Sequence, residues 1–217
     1  MTNIDKIMSI LKKECKKLEL PIVSAYVVNE GRNPFKVLIS TVLSLRTKDY
    51  VTAKATDKLF VLADNPKDMM KLDVKKVEKA IYPVGFYKTK AKRVIEICEI
   101  LVEKYNSKVP DEIDVLLTFP GVGRKTANLV LTQGYGKLGI CVDTHVHRIS
   151  NRLGYVKTKT PNDTEFALRK KLPKKYWIEY NDYLVAWGQN ICAPISPFCS
   201  KCNIYKYCYK VGVGKSR

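Results

Sequence analysis

Two places in this 217-residue chain gather residue types that can do chemistry. Near the end stand Cys192, Cys199, Cys202 and Cys208, with six, two and five residues between them. Upstream, Lys125 follows Phe119-Pro-Gly-Val-Gly-Arg124, and Asp143 lies eighteen residues further on in CVDTHVHRISNRL. The other three of the seven cysteines, Cys15, Cys98 and Cys141, are scattered in apolar contexts and read as buried thiols. The odd total argues against a disulfide framework. So does the opening MTNIDKIMSILKKECKKLEL, which alternates apolar and charged residues at helical spacing and lacks the unbroken apolar centre of a signal peptide. Four thiolates within seventeen residues suit one metal centre. Zinc and iron–sulfur both accept such a set, although structural zinc more often shows two Cys-X-X-Cys knuckles where this stretch has one.

Gly123-Arg-Lys-Thr126 invites comparison with a phosphate-binding loop, and the comparison fails. That motif needs a glycine, four residues, then Gly-Lys-Ser/Thr directly after a strand. Here Arg124 separates the glycine from the lysine, and in the tail VGVGKSR the first glycine's place is taken by Tyr209. A different pattern fits: Leu116, Phe119, Gly121, Val122, Gly123, Ala127, Val130 and Leu131 describe a helical hairpin whose glycines allow unusual backbone angles and close approach of another surface. The N–H groups at the start of the following helix can hold a DNA phosphate without reading a base. On the residues alone Lys125 is either a phosphate contact or an amine able to attack a sugar carbon. Asp143 precedes a helix whose apolar face is Val146, Ile149 and Leu153, so it reads as an N-cap. A carboxylate fixed in that way is also well placed for catalysis.

The elements that must position these groups are helices. Phe35, Leu38, Ile39, Val42 and Leu43 follow the helical period, and Val51, Ala55 and Leu59 repeat it after Asp49, which has the character of an N-cap. Further helices are expected over 74–81, 90–105, 124–131, 144–153, 163–172 and 180–187, with turns at Pro66, Pro83–Gly85, Pro110 and Pro120–Gly123 between them. No alternating run is long enough for a strand, and there is no fixed-period repeat or low-complexity linker. The expected fold class is all-α, with about ten short helices. Composition agrees with a globular chain: 46% of residues are hydrophobic, and no apolar run approaches bilayer length. Thirty-nine basic against twenty-one acidic residues leave a net charge of +18, spread along the chain. The expectation is a soluble, cytoplasmic protein whose partner is a phosphate polymer.

Four blocks in order, LSLRTKD, FPGVGRKTA, VDTHVHR and the cysteine cluster, resemble the endonuclease III branch of the helix-hairpin-helix DNA glycosylases, from about Pro34 to Cys208. The resemblance implies a two-domain fold with a cleft between a six-helix barrel domain, residues 27–137, and an iron–sulfur domain, residues 1–26 and 138–217. It implies a bifunctional glycosylase and abasic-site lyase of base-excision repair, acting as a monomer on oxidised pyrimidines in double-stranded DNA of a prokaryotic nucleoid. Lys125 would form the Schiff base and Asp143 would assist it. Gly121, Val122, Gly123 and Arg124 would hold the DNA backbone. The 6-2-5 spacing of Cys192, Cys199, Cys202 and Cys208 matches the family's [4Fe–4S] loop. Arg46 stands where the family usually has glutamine, as one filler of the gap left by a flipped nucleotide, and Phe86 aligns with the second intercalating loop. His145 matches a histidine common after the aspartate and reads as local hydrogen-bonding support, while His147 reads as a surface or packing residue. A mismatch glycosylase of the same superfamily is the nearest alternative, against which Lys125 argues. A non-catalytic DNA-binding protein with a structural metal is the alternative from another class.

Overall fold

The computed structural model describes residues 3–18, 23–24 and 31–217. All regular structure among the described residues is helical. The chain divides into two compact units, Met1–Pro21 with Leu138–Arg217, and Ile22–Lys137. The domain boundary expected at 26/27 lies outside the described residues.

The unit of Ile22–Lys137 is organised around one helix. This helix, α2 (Pro34–Ser44), buries Phe35 and every residue from Val37 to Leu43. A helix buried on all its faces is a core element, broader in its apolar pattern than a surface helix. Its two buried polar residues satisfy themselves locally: Ser40 donates to Lys36 O at 2.6 Å and Thr41 to Val37 O at 2.7 Å. Around it pack α3 (Asp49–Leu62), α6 (Tyr87–Tyr105) and α8 (Arg124–Leu129). The short α4 (Pro66–Met69), α5 (Val74–Ile81) and α7 (Ile113–Leu116) are further helices among the described residues of this unit. Leu38, Leu43, Leu59, Ile81, Leu101 and Leu116 are wholly buried in one continuous core.

The second unit joins α1 (Ile4–Cys15) to α9 (Thr144–Arg152), α10 (Pro161–Lys171) and α11 (Glu179–Asn190). Ile7 and Leu11 of α1 meet Val146, Ile149, Leu168 and Leu184 in a separate core. Tyr180 lies fully inside it, its hydroxyl 3.0 Å from Ser150 Oγ.

Several helix ends differ from the expectation. Asp49 is the first residue of α3, and Lys48 occupies the N-cap without a side-chain cap; the carboxylate complements the helix dipole from inside the first turn. The helix expected from residue 163 begins at Pro161. Thr160 is its cap, and Asp163 is the reciprocal partner of a capping box. Helix α6 starts at Tyr87, three residues before the first residue expected to be helical, because Tyr87-Lys-Thr-Lys90 shows little apolar signal. The helix expected to run through Leu131 is α-helical only to Leu129, then widens into a π turn over Val130–Gly134. Gly134 lies against Pro34, where a Cβ would fall 3.0 Å from Pro34 Cα. No described helix is long and apolar enough to cross a membrane.

Leu38→Ala should cost about 2–5 kcal/mol in a urea titration, because α2 has no exposed face toward which the cavity can relax. Val61→Ala, at a side chain 86% exposed, should change the midpoint little.

Candidate functional site

The hairpin is built as its apolar pattern requires. Leu116, Phe119, Val122, Ala127, Val130 and Leu131 are all buried in the core of their unit. The connecting turn closes with Val122 N donating to Phe119 O at 3.1 Å. Gly121 has φ +75°, and a Cβ there would lie 2.9 Å from the Arg93 side chain, so both backbone angle and space call for glycine. Gly123 is exposed and N-caps α8 without a side chain to cover the first turn. Arg124 and Lys125 follow at once, both partly exposed at the start of the helix, while Thr126 turns inward.

Asp143 caps α9: its Oδ1 accepts from His145 N and Val146 N, both at 2.9 Å. The cap engages this oxygen and fixes the carboxylate at the helix start. The other end of the same helix reaches the cysteines. Arg148 donates to Cys192 O at 3.2 and 2.8 Å and to Gly188 O at 3.2 Å. Arg152 donates to Ala193 O at 2.7 Å and to Pro194 O at 2.6 Å, and its Nη1 lies 3.3 Å from Cys192 Sγ. His145 packs on Gly188, where a Cβ would fall 2.4 Å from its Nδ1, and it shares a 3.1 Å contact with Arg148 Nη2. His147 Nδ1 meets Thr164 Oγ1 at 2.7 Å, a packing role.

Cys192, Cys199, Cys202 and Cys208 line one cavity, together with Arg152, Trp187 and Ile204. Burial pushes the Cys202 thiol up to about 11 and raises Cys208, with backbone N–H groups of Ile204 and Lys210 acting the other way. The indole N–H of Trp187 is buried without a hydrogen-bond partner of normal geometry, yet faces Cys202 closely enough to favour its thiolate. The arginine and the N–H donors suit a set of anionic sulfurs. Among the described residues, no three His, Cys, Asp or Glu side chains converge as ligands of a single ion would. Around the loop, Lys201 stacks on Phe198, Lys206 on Tyr207 and Lys210 on Tyr205.

A third group of residues lies where the α2–α3 turn meets the α5–α6 turn. Arg46 (φ +53°) and Phe86 (φ +58°) are both non-glycine residues in the left-handed region, each at a cost of order 1 kcal/mol or more. Both are exposed, and the Arg46 guanidinium lies 5.8 Å from the centre of the Phe86 ring. Behind them Lys90 is buried, with burial first and Arg93 second pushing its ammonium down to about 8.

Residues 39–174 match the HhH-GPD superfamily of base excision DNA repair proteins. Endonuclease III of Thermotoga maritima is 51% identical over 176 residues, 81% of this chain and 83% of that protein. The chain belongs to the endonuclease III family. Endonuclease III of Escherichia coli K12 is 37% identical over the same shares of the two chains. Among solved structures, a trapped endonuclease III–DNA covalent intermediate superimposes with a TM-score of 0.81 at 32% identity, covering 97% of each chain.

Against this endonuclease III frame, the structure brings together Gly121, Val122, Gly123, Arg124 and Lys125 in the hairpin, Arg46 with Phe86 at the paired turns, and the four cysteines around one cavity. Lys125 and Asp143 belong to different units of the chain. Sequence reasoning missed Lys90, Arg148 and Arg152. The two arginines are spaced i, i+4 on α9 and point to one loop, a signal present in HRISNR but indistinguishable from surface charge. Removing the cap by Asp143→Ala should cost about 1 kcal/mol of stability in chemical denaturation, whereas Asp143→Asn should retain most of it. Any loss of activity in the asparagine variant would then belong to the carboxylate's charge.

Proposed function

We propose that the chain is a bifunctional DNA glycosylase and abasic-site lyase that removes oxidised pyrimidines from double-stranded DNA during base-excision repair. The observation that carries the reading is Lys125 one residue inside the post-hairpin helix, in a chain 51% identical to an endonuclease III over most of its length. The chemistry follows from an amine held beside a DNA backbone. Lys125 Nζ, in its neutral form, attacks C1′ of an extruded nucleotide; the C1′–N glycosidic bond breaks and the damaged base leaves with its electron pair and a proton. Loss of the 4′ ring oxygen bond gives an imine between Lys125 and C1′. Removal of a C2′ proton then expels the 3′ phosphate by β-elimination, and water releases the enzyme. Asp143, fixed by its cap, stabilises positive charge on the sugar during the first step.

Gly121, Val122, Gly123 and Arg124 hold the phosphate backbone, and Arg46 and Phe86 occupy the gap left by the nucleotide. Cys192, Cys199, Cys202 and Cys208 would hold a [4Fe–4S] cluster. Four sulfurs around one cavity, a guanidinium beside Cys192 and the otherwise unsatisfied Trp187 N–H support that assignment. A cluster held there would tie together the loop that carries Lys201, Lys206 and Lys210, whose charge suits a nucleic-acid backbone. The same reading has the protein act as a monomer in the cytoplasm, on nucleoid DNA.

The test is single-turnover cleavage of a duplex carrying thymine glycol, following base release and strand scission together. Wild type should do both at one rate, Lys125→Gln neither, and purified protein should carry iron with inorganic sulfide. Base release by the wild type without strand scission would make the chain a monofunctional glycosylase.

A further inference from the structure

Among the described residues of its unit, Lys90 is the buried cation, and the chemistry above does not use it. It lies on α6 one turn beyond Phe86 and is only 4% exposed, so it is not a phosphate contact. Its ammonium has three N–H bonds, and three oxygens between the end of α2 and the α2–α3 turn receive them: Leu43 O at 2.8 Å, Leu45 O at 2.5 Å and Thr47 Oγ1 at 3.2 Å. The first two are carbonyls at the C-terminus of α2, where the helix dipole favours a cation. An ammonium this buried tolerates no missing partner, so its position dictates the path of the backbone from Leu43 to Thr47.

The opposite side of the junction is equally constrained. Gly85 N donates to Thr47 Oγ1 at 3.2 Å, while that hydroxyl donates to Leu45 O at 3.3 Å, so its one hydrogen and both lone pairs are engaged. A Cβ on Gly85 would lie 2.6 Å from Arg46 O. The two turns are therefore joined through Lys90 and Thr47, and their tips are Arg46 and Phe86, side by side and both in left-handed backbone. Leu45, Arg46, Phe86, Thr89, Lys90 and Arg93 line an open depression between them.

We propose that Lys90 is a positioning residue that couples the two turns, so that Arg46 and Phe86 enter a duplex as one preassembled wedge. This rests on the reading of a glycosylase and lyase that must extrude its nucleotide. The entropy of ordering two turns is then met on folding, and little is left to lose at the moment of insertion.

The experiment compares strand cleavage at an abasic site in a duplex with cleavage of the same strand alone, for wild type, Lys90→Met, Phe86→Ala and the double variant. A single strand needs no wedge, while both substrates need the same Schiff-base chemistry. Lys90→Met should slow the duplex reaction roughly tenfold or more while leaving the single-strand reaction within about twofold. The double variant should be no slower on the duplex than Phe86→Ala, since Lys90 acts through the wedge. 2-Aminopurine placed opposite the abasic site should report slower insertion by Lys90→Met. Thr47→Val, which opens the junction without leaving a cavity at the ammonium, should show the same split between substrates, and it decides the matter should Lys90→Met fail to fold. Equal losses on both substrates, or losses that multiply in the double variant, would overturn the wedge. An unaffected duplex rate would do the same while the lyase reading stood. A wild type that cleaves neither substrate would overturn the lyase reading and the wedge together.

Discussion

A cation withdrawn from water must find acceptors for its N–H groups, and for Lys90, Arg148 and Arg152 most of these are backbone carbonyls. Lys90 takes two at the end of α2, and Arg148 and Arg152 take those of Cys192, Ala193 and Pro194, while Arg32, itself exposed, reaches those of Thr132 and Gln133 in the π turn. Each of these pairings ties an irregular segment to a helix or to the flank of one. The irregular segments fastened in this way include the turn that carries Arg46 and the cysteine loop. The net charge of +18 therefore has two uses. Most of it faces solvent and suits a polyanion, while a few cations work inside as fasteners for backbone that has no helical partner of its own.

Helix α9 shows how this arrangement links distant parts of one unit. Its N-terminus holds Asp143 by two backbone N–H groups, and its last two turns hold the cysteine loop through Arg148 and Arg152. Trp187 of α11 and Ile149 of α9 pack in the same core beneath that loop. Whatever fixes the loop also fixes the helix that presents the carboxylate. In the other unit α2 plays the corresponding part: largely buried, it anchors the turn bearing Arg46 at one end, with Gly134 pressed against Pro34 at the other.

The all-α class and the helical hairpin were legible because apolar periodicity and glycine placement report burial and backbone angle directly. Leu116, Phe119, Val122 and Ala127 announce an inward face, and Gly121 sits where φ is +75°. Asp143 was legible as a cap because an aspartate before an apolar period has few better uses. Lys90, Arg148 and Arg152 were not, since a fastening cation and a solvated one have the same letter, and only the surrounding carbonyls tell them apart. The start of α6 was obscured for a related reason: Tyr87-Lys-Thr-Lys90 reads as polar, although Lys90 is buried. The π turn after Leu129 leaves no mark in composition, because it changes hydrogen bonding without changing which residues are apolar.

The central claim is that one amine, placed by the hairpin, becomes covalently attached to DNA. Borohydride reduction of the protein on a thymine glycol duplex, followed by proteolysis and mass spectrometry of the cross-linked peptide, tests it at the level of a single residue. The account predicts a reduced sugar remnant on Lys125, within the peptide that follows Arg124. A remnant on any other lysine or on the N-terminal amine, or reduction that yields no cross-link while base release proceeds, would contradict it.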